Sequence, residues 1–537
     1  MSLMKLNKKY GAAAAMVMLL SMASTSYAAF DENLQGYTLD TVLVEADATK
    51  DKFGNTITEQ SYYRTGGDVK VITREEIEKR HYTDLTEAIK RIPGVTFQNP
   101  GYRGGEYGYE FYNNGVSING DTRVIILVDG RRVDNTASTR ISSNSKTGSK
   151  STGVNLDQVT NMENVEKIEV IKGPGASVYG ADALGGVINI ITRKGGSNNV
   201  GSIDLSTGSW DKHKYALSYS GSAGNDKSWH YFISANRDMS GDTKYKDGYT
   251  GGTGTLGGSK WKEDGVNLRI DKDFNEKQSL KIWYNFKEGK DGYPIATPSL
   301  RYWNQADWQR IIFNAAIGQL DGNNKIVGGK LSGDLKNPGY HNLYALDGAA
   351  YGSFSRFKNN DWDITYTFDK ENGMESFVRV YDQNHRYAHR DKYKWNLKTT
   401  ADYEAAFPTG ATDAQLQQWI NENLAPFPGG DQEALKEWVE KTGGVAAEPT
   451  SWHEEKNRGV QLQYAKSVGV NDIIASITYD KAKNYSKRIN NDGTITSSHV
   501  DRKSILGYIQ DKIHITDKWD ITPAIRYSKY SSFDTTN

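Results

Sequence analysis

The residues whose types could do chemistry are few and scattered along the 537 positions. Cysteine is absent, which excludes thiolate metal sites, cysteine nucleophiles and disulfide scaffolds. The 9 histidines fall into no Ser-His-Asp or metal-hydrolase pattern, so neither an enzyme nor a resident metal or cofactor is expected. The segment best equipped for recognition is Tyr102-Arg-Gly-Gly-Glu-Tyr-Gly-Tyr-Glu-Phe-Tyr112. Tyr102, Tyr107, Tyr109, Phe111 and Tyr112 offer faces that stack on a planar group. Arg103 can pair with an anion, and Gly104 and Gly105 permit close backbone approach. The same aromatics could equally pack against a neighbouring wall, and residue type alone leaves both roles open. His385 and His389 invite a haem or metal role. On one continuous strand they lie about 13 Å apart, too far for a single ion, so a loop-rim or solvated position is expected.

The elements that must position these residues follow from composition and pattern. Hydrophobic residues make 37%, charged residues 25%, and mean hydropathy is −0.68. Lys+Arg and Asp+Glu are both 66, which offers no basic excess for a nucleic-acid binder. A count of 33 Tyr, 12 Trp and 54 Gly against 11 Pro suits extended sheet rather than disorder. Lys5, Lys8 and Lys9 precede an apolar run from Gly11 to Met22, and Ser26-Tyr27-Ala28 follows. Residues 1–28 therefore read as a secretory signal peptide, which places the rest outside the cytoplasm. Beyond it no apolar run reaches the ~20 residues of a membrane-spanning helix.

From about Asp51 to Lys194 the chain reads as an α/β domain. Thr73 and Glu76 have capping-box spacing, and Leu85, Ala88, Ile89 and Ile92 repeat at helical spacing before Pro93-Gly94. Val124–Val128 is a buried strand closed by an Asp129-Gly130 hairpin turn, and Val165–Ile171 and Val187–Ile191 are further strands.

From about Val200 strict alternation takes over. Leu280, Ile282, Tyr284 and Phe286 share one face, as do Trp362, Ile364, Tyr366 and Phe368, with polar residues between them. Trp229, Tyr231, Ile233 and Ala235 repeat the pattern, and so do Ile473, Ala475, Ile477 and Tyr479. That is the pattern of a transmembrane β-barrel wall. About eleven strands of roughly ten residues are expected, beginning near residues 200, 213, 228, 264, 277, 357, 374, 456, 471, 502 and 518. Short turns (Gly224–Lys227, Asn275-Glu276, Glu371–Gly373, Asp517) alternate with long loops (239–263, 287–356, 387–455, 485–501), as in outer-membrane barrels. Within one loop, Leu416, Trp419 and Ile420, then Leu435, Trp438 and Val439, lie at helical spacing, with Asp413 and Asp431 as N-caps. A self-packing external cap is expected there.

Four stretches of the N-terminal domain resemble the TonB-dependent outer-membrane receptors. They are Val69-Lys-Val-Ile-Thr-Arg-Glu-Glu-Ile77, Asp84-Leu-Thr-Glu-Ala-Ile-Lys-Arg-Ile-Pro-Gly-Val95, Ile125-Ile-Leu-Val-Asp-Gly-Arg-Arg-Val133, and Val165–Gly180 continuing into Ala183–Thr192. The resemblance implies a membrane β fold, with an N-terminal α/β plug domain inside an antiparallel transmembrane β-barrel of 22 strands when complete. It divides the chain into the signal peptide (1–28), an N-terminal segment (29–50), the plug (51–196) and the N-terminal half of the barrel (197–537). It also implies a box that recruits the energy-coupling protein TonB. Asp40-Thr-Val-Leu-Val-Glu-Ala46 looks like that box, with Asp40, Thr41, Val42, Leu43 and Val44 as TonB-binding residues able to add as a strand to a partner sheet. In such plugs the segment after the Pro93-Gly94 stop is sent toward the extracellular vestibule. There, the aromatics and Arg103 of residues 102–112 would meet a chelate or pack on the inner wall.

The implied function is energised uptake of a metal chelate, a ferric siderophore or haem, through a cell outer membrane and in contact with its lipid. Cobalamin is the alternative ligand, and a passive porin-like channel or an outer-membrane enzyme would be a different class. Two departures stand out. Many members have Ile-Arg-Gly where this chain has Ile118-Asn119-Gly120, so that arginine's role is not carried over. A Ser/Thr/Lys-rich insert, Ser138–Thr152, is expected as a solvated loop. Eleven strands are half of 22, and an open half-barrel leaves unpaired edges in lipid, so the chain is expected to be a C-terminally truncated member.

Overall fold

The computed structural model describes residues 68–97, 116–133, 156–173, 183–242, 260–292, 317–329, 354–390, 400–423, 450–489, 494–516 and 519–531, with short pieces at 49–50, 56–57, 142–143, 150–151, 244–246, 253–255 and 313–314. Five strands form the N-terminal sheet: β1 (Asp68–Thr73), β2 (Val124–Val128), β3 (Arg131–Arg132), β4 (Val165–Lys172) and β5 (Gly186–Thr192). Their spatial order is β1-β4-β5-β2-β3; β5 and β2 run parallel and the other pairs antiparallel. Every residue of β2 is buried, which explains its unbroken hydrophobic run. Asp129 and Gly130 take positive φ (47° and 75°) and close the β2–β3 hairpin, as the Asp-Gly pair signalled.

Helix α1 (Arg74–Arg80) starts at Thr73, whose Oγ1 accepts the Glu76 amide at 3.3 Å. Glu76 pairs with Arg80 at 2.9 Å. Helix α2 (Leu85–Ile89) buries Leu85, Ala88 and Ile89 but ends three residues earlier than the spacing suggested. Pro93 disfavours helical backbone at the residue before it, so Ile92 packs on the core from outside the helix. Asn119 and Gly120 both have positive φ (53° and 82°) in a two-residue turn that seats Asn119 against Gly94. Asparagine tolerates that backbone better than arginine does. Within the insert, Ser142–Ser143 pairs with Lys150–Ser151, a short ladder where only loop was expected.

The larger sheet takes up the chain from Val200. Its strands are β6 (Val200–Gly208), β7 (Lys212–Ala223), β8 (Trp229–Ser240), β9 (Trp261–Asp273), β10 (Ser279–Gly292) and β11 (Phe354–Glu371). They continue as β12 (Met374–Arg390), β13 (Thr450–Val468), β14 (Asn471–Ile489), β15 (Ile495–Thr516), β16 (Trp519–Ile521) and β17 (Ala524–Tyr530). Each pairs antiparallel with its predecessor, except that β16 and β17 both pair with β15. They are one expected strand, broken at Thr522-Pro523 because proline cannot donate to the ladder. β6 and β16/β17 form the edges of an open sheet.

Apart from β16 and β17, with 3 and 7 residues, the strands run 9 to 22 residues rather than a uniform ten. About ten residues cross a membrane, so the longer strands extend past it and the long loops shrink. The stretch 485–501 is mostly strand, with only residues 490–494 between β14 and β15. The alternation of ends holds: residues 224–228, 274–278, 372–373 and 469–470 turn at one end, and residues 241–260, 293–353 and 391–449 connect strands at the other.

Alternation decides which face meets the N-terminal domain. Trp362, Ile364, Tyr366, Ile477 and Tyr479 are exposed on the outer face, whereas Asn267, Asn285, Asp363 and Gln383 are buried on the inner face. Trp283 breaks the polar inner pattern: it is 1% exposed and joins the core of the N-terminal domain. Outside the sheet, α3 (Thr400–Ala406) and α4 (Asp413–Asn423) pack Tyr403, Leu416, Trp419 and Ile420 against Phe313 and Ile317, the self-packed cap that was expected. The N-cap of α4 is Thr412, not Asp413. Thr412 exchanges hydrogen bonds with Gln415 at 3.3 and 2.9 Å, while Asp413 accepts from Asn324 Nδ2 at 2.8 Å. Residues 431–439 lie outside the described residues.

Candidate functional site

The inner face of the sheet and the N-terminal domain meet along a polar seam, and the Asp129-Gly130 turn is its centre. Thr192 donates to both Asp129 oxygens, from its amide at 2.9 Å and its hydroxyl at 2.8 Å. Lys281 on β10 reaches the same carboxylate at 3.0 Å and Asp363 on β11 at 3.5 Å. Arg379 on β12 donates to the Asp129 carbonyl at 2.9 Å. Arg269 on β9 donates to the Thr192 carbonyl at 2.7 Å and is held by Asp271. Burial would raise the Asp129 pKa, but Lys281 and Arg269 overcome it and hold the carboxyl well below the usual carboxylate range.

Arg131, one residue past that turn, inserts between two rings. Its guanidinium carbon lies 5.5 Å from the ring centroids of both Trp283 and Tyr381, with Asp363 at 3.6 Å. Its three nitrogens make no hydrogen bond among the described residues, so ring faces and one carboxylate hold the cation. Tyr381 in turn donates to Asp480. Gln383 donates to the Arg132 and Val133 carbonyls at 3.1 and 3.0 Å.

A second patch involves residues 156–164. Asn285 donates to the Val159 carbonyl at 3.0 Å, Asn359 to the Gln158 carbonyl at 2.8 Å, and Lys287 to the Asp157 carbonyl. Lys214 pairs with Glu163 at 2.6 Å. Gly265 permits the approach: a Cβ there would lie 2.0 Å from Asn161 Nδ2. A cavity of about 20 Å³ beside Asn161, Glu163 and Lys214 has room for a single water.

Such a seam can hold a domain in place through charge-assisted hydrogen bonds, each individually reversible. Among the described residues no group of three or more His, Cys, Asp or Glu could hold a metal. His385 is in neither a loop rim nor solvent. It lies within β12, is 3% exposed, and faces Asp361 with Nε2 at 2.9 Å from Oδ1. The strand runs on through His389, so the register that keeps the two histidines apart is the one formed. Asp40–Val44 and Tyr102–Tyr112 lie outside the described residues. The seam residues escaped the sequence reading because each is a single polar residue on an alternating strand. Lys281 and Asn285 were legible only as members of a polar face, and Trp283 between them was the one available signal.

Two family descriptions match the chain: the TonB-dependent receptor plug domain over residues 62–187 and the TonB-dependent receptor-like β-barrel over residues 308–537. The chain belongs to the TonB-dependent receptor family. The iron-regulated outer membrane virulence protein of Vibrio cholerae is 36% identical over 167 residues, which is 30% of this chain and 23% of that protein. The vitamin B12 transporter BtuB of Vibrio vulnificus is 30% identical over 172 residues, 32% of this chain and 24% of the transporter. The siderophore receptor PirA from Acinetobacter baumannii shares the fold, with a TM-score of 0.53 at 16% identity over 90% of this chain and 59% of that structure. The chain thus spans about a quarter of the length of the two curated relatives and 59% of the PirA structure. In family terms the N-terminal domain is the plug, the larger sheet is barrel wall, and the seam is the contact between them.

Proposed function

We propose that this receptor carries a scarce metal chelate, a ferric siderophore or haem, across an outer membrane using energy delivered by TonB. The observation that carries the proposal is the seam. A plug pinned to the barrel wall by Lys281, Arg269 and Arg379 blocks the inner face of that wall, so passage along it requires work on the plug. The names of its relatives support iron first and vitamin B12 second. Residues 40–46 are the proposed TonB box. Tyr102, Arg103, Tyr107, Tyr109, Phe111 and Tyr112 are the proposed ligand contacts, and residues 51–196 and 197–537 the plug and the first half of the barrel. The signal peptide is proposed to end at Ala28.

Deleting residues 40–46 separates coupled uptake from passive flux. Coupled uptake is lost with the deletion, whereas a porin-like channel conducts as before. A binding screen of ferric siderophores, haem and cobalamin against the receptor, read by tryptophan fluorescence, identifies the ligand. Saturable binding of cobalamin alone would overturn the iron assignment.

A further inference from the structure

We propose that His514 is a proton-dependent clasp at the short-turn rim of the wall: its protonated ring ties the edge strand β16 to two neighbouring turns, and its neutral ring releases one end. The chain of contacts starts in the β11–β12 turn, where Asn372 Nδ2 donates to Ser467 Oγ at 2.8 Å. Ser467, just before the turn at 469–470, donates to Asp472 Oδ1 just after it. Asp472 is 4% exposed, and its other oxygen lies 3.0 Å from His514 Nε2. On the far side of the ring, Nδ1 lies 2.8 Å from Asp520 Oδ1 in β16. The second Asp520 oxygen meets Lys512 at 3.2 Å.

Both nitrogens of the ring thus face carboxylate oxygens. A neutral imidazole has one N–H, so it serves one carboxylate and turns a lone pair toward the other, whereas an imidazolium donates to both. Charge gives the same answer. The charged groups that face the ring are Asp472 from β14, Asp520 from β16 and Lys512 from its own strand. Two carboxylates and one ammonium leave one negative charge, which an imidazolium cancels. His213, His230, His385 and His499 each face a carboxylate through Nε2 alone, so a neutral ring suffices for them.

The ring is placed where it can exchange protons with solvent. The His514 amide donates to the Val470 carbonyl at 2.8 Å, which sets the residue level with the 469–470 turn and beyond the spanning part of β15. Its side chain is 41% exposed. Hydrogen bonds to Asp472 and then to Asp520 raise its pKa above the ordinary histidine value, against a smaller opposing effect of burial. The folded pKa therefore exceeds the unfolded value of about 6.5. The contribution of the clasp is complete below that unfolded value and is lost as pH rises through the folded pKa. Of the groups in this chain of contacts, His514 alone has an ordinary pKa near neutrality, so its proton sets the state of the rim.

The test uses the whole chain refolded in detergent with isotopically labelled histidine, read by NMR. Loss of one ring resonance in His514→Gln identifies the His514 signal. Its titration midpoint should lie above about 6.5 in the wild type and fall toward that value in Asp472→Asn with Asp520→Asn. Hydrogen exchange at β16, corrected for the intrinsic rate, should be faster at about pH 8.5 than at about pH 5.5, by about tenfold for each unit that the midpoint lies above the ordinary value. His514→Gln keeps a donor but takes up no proton, so its exchange should be the same at both pH values. A wild-type midpoint at or below about 6.5 would overturn the proposal. So would a midpoint that the two Asn substitutions leave in place, or a pH response of β16 that survives in His514→Gln. Should a variant not fold, the wild-type midpoint decides.

Discussion

Asp129 of the plug and Lys281 of the barrel wall meet at 3.0 Å although 152 positions separate them in the chain. Both side chains are nearly excluded from water, at 10% and 14% exposure, so little solvent screens the pair. Lys281→Met should lower plug stability by about 3 kcal/mol, because Asp129 and Asp363 would keep their charges with fewer partners. Asp129→Asn in the same background should restore part of the loss, and a double-mutant cycle on thermal midpoints measures the coupling. Strictly additive effects would show that the two groups do not act together.

The acid response follows from the same carboxylate. Its folded pKa lies below the ordinary carboxylate value of about 3.9. Its contribution is therefore complete above that value and is lost as pH falls through the lowered folded pKa. Thermal midpoints recorded below about pH 4 should fall more steeply for the wild type than for Asp129→Asn. Parallel profiles would remove Asp129 from the account.

Gly265 tests the fit of plug to wall by shape rather than charge. Gly265→Ala places a methyl 2.0 Å from Asn161 Nδ2 and 2.6 Å from Asn236 Oδ1, so two side chains must shift together next to Thr160, whose hydroxyl meets Asn267 and Asn285 at 3.2 Å. The substitution should destabilise the seated plug by about 1–3 kcal/mol and increase leakage of small solutes through reconstituted barrels. Unaltered leakage and stability would mean that the approach is looser than the geometry states.

These positions mark where the sequence stopped being informative. The period of two from Val200 onward identified the wall, and the hydrophobic run Val124–Val128 with its Asp-Gly turn identified the plug sheet. Alternation says that Lys281, Asn285 and Asp363 share a face, but not that the face meets Asp129 or Thr160, because that depends on docking across 100 or more positions. His385 failed for a related reason: a histidine near an expected strand end looks solvated until β12 proves long enough to carry it under cover. The strand break at Pro523 and the cap at Thr412 were local and could have been read from proline and from Thr-x-x-Gln spacing.

The proposed ligand contacts at residues 102–112 can be tested separately. Tyr107→Ala, Tyr109→Ala and Tyr112→Ala together should weaken chelate binding, each aromatic contact contributing on the order of 0.5–1.5 kcal/mol beyond burial. Plug stability should change little. Unchanged affinity with a lowered thermal midpoint would instead assign these rings to packing against the inner wall.

Energised transport is tested most directly by uptake of radiolabelled ferric chelate into cells carrying Leu43→Pro, measured beside binding at the cell surface. Proline removes a backbone donor and fixes φ, so residues 40–46 could no longer add as a regular strand to TonB. Surface binding should equal that of the wild type, and uptake should fall to the level of cells without TonB. Uptake at the wild-type rate would contradict it.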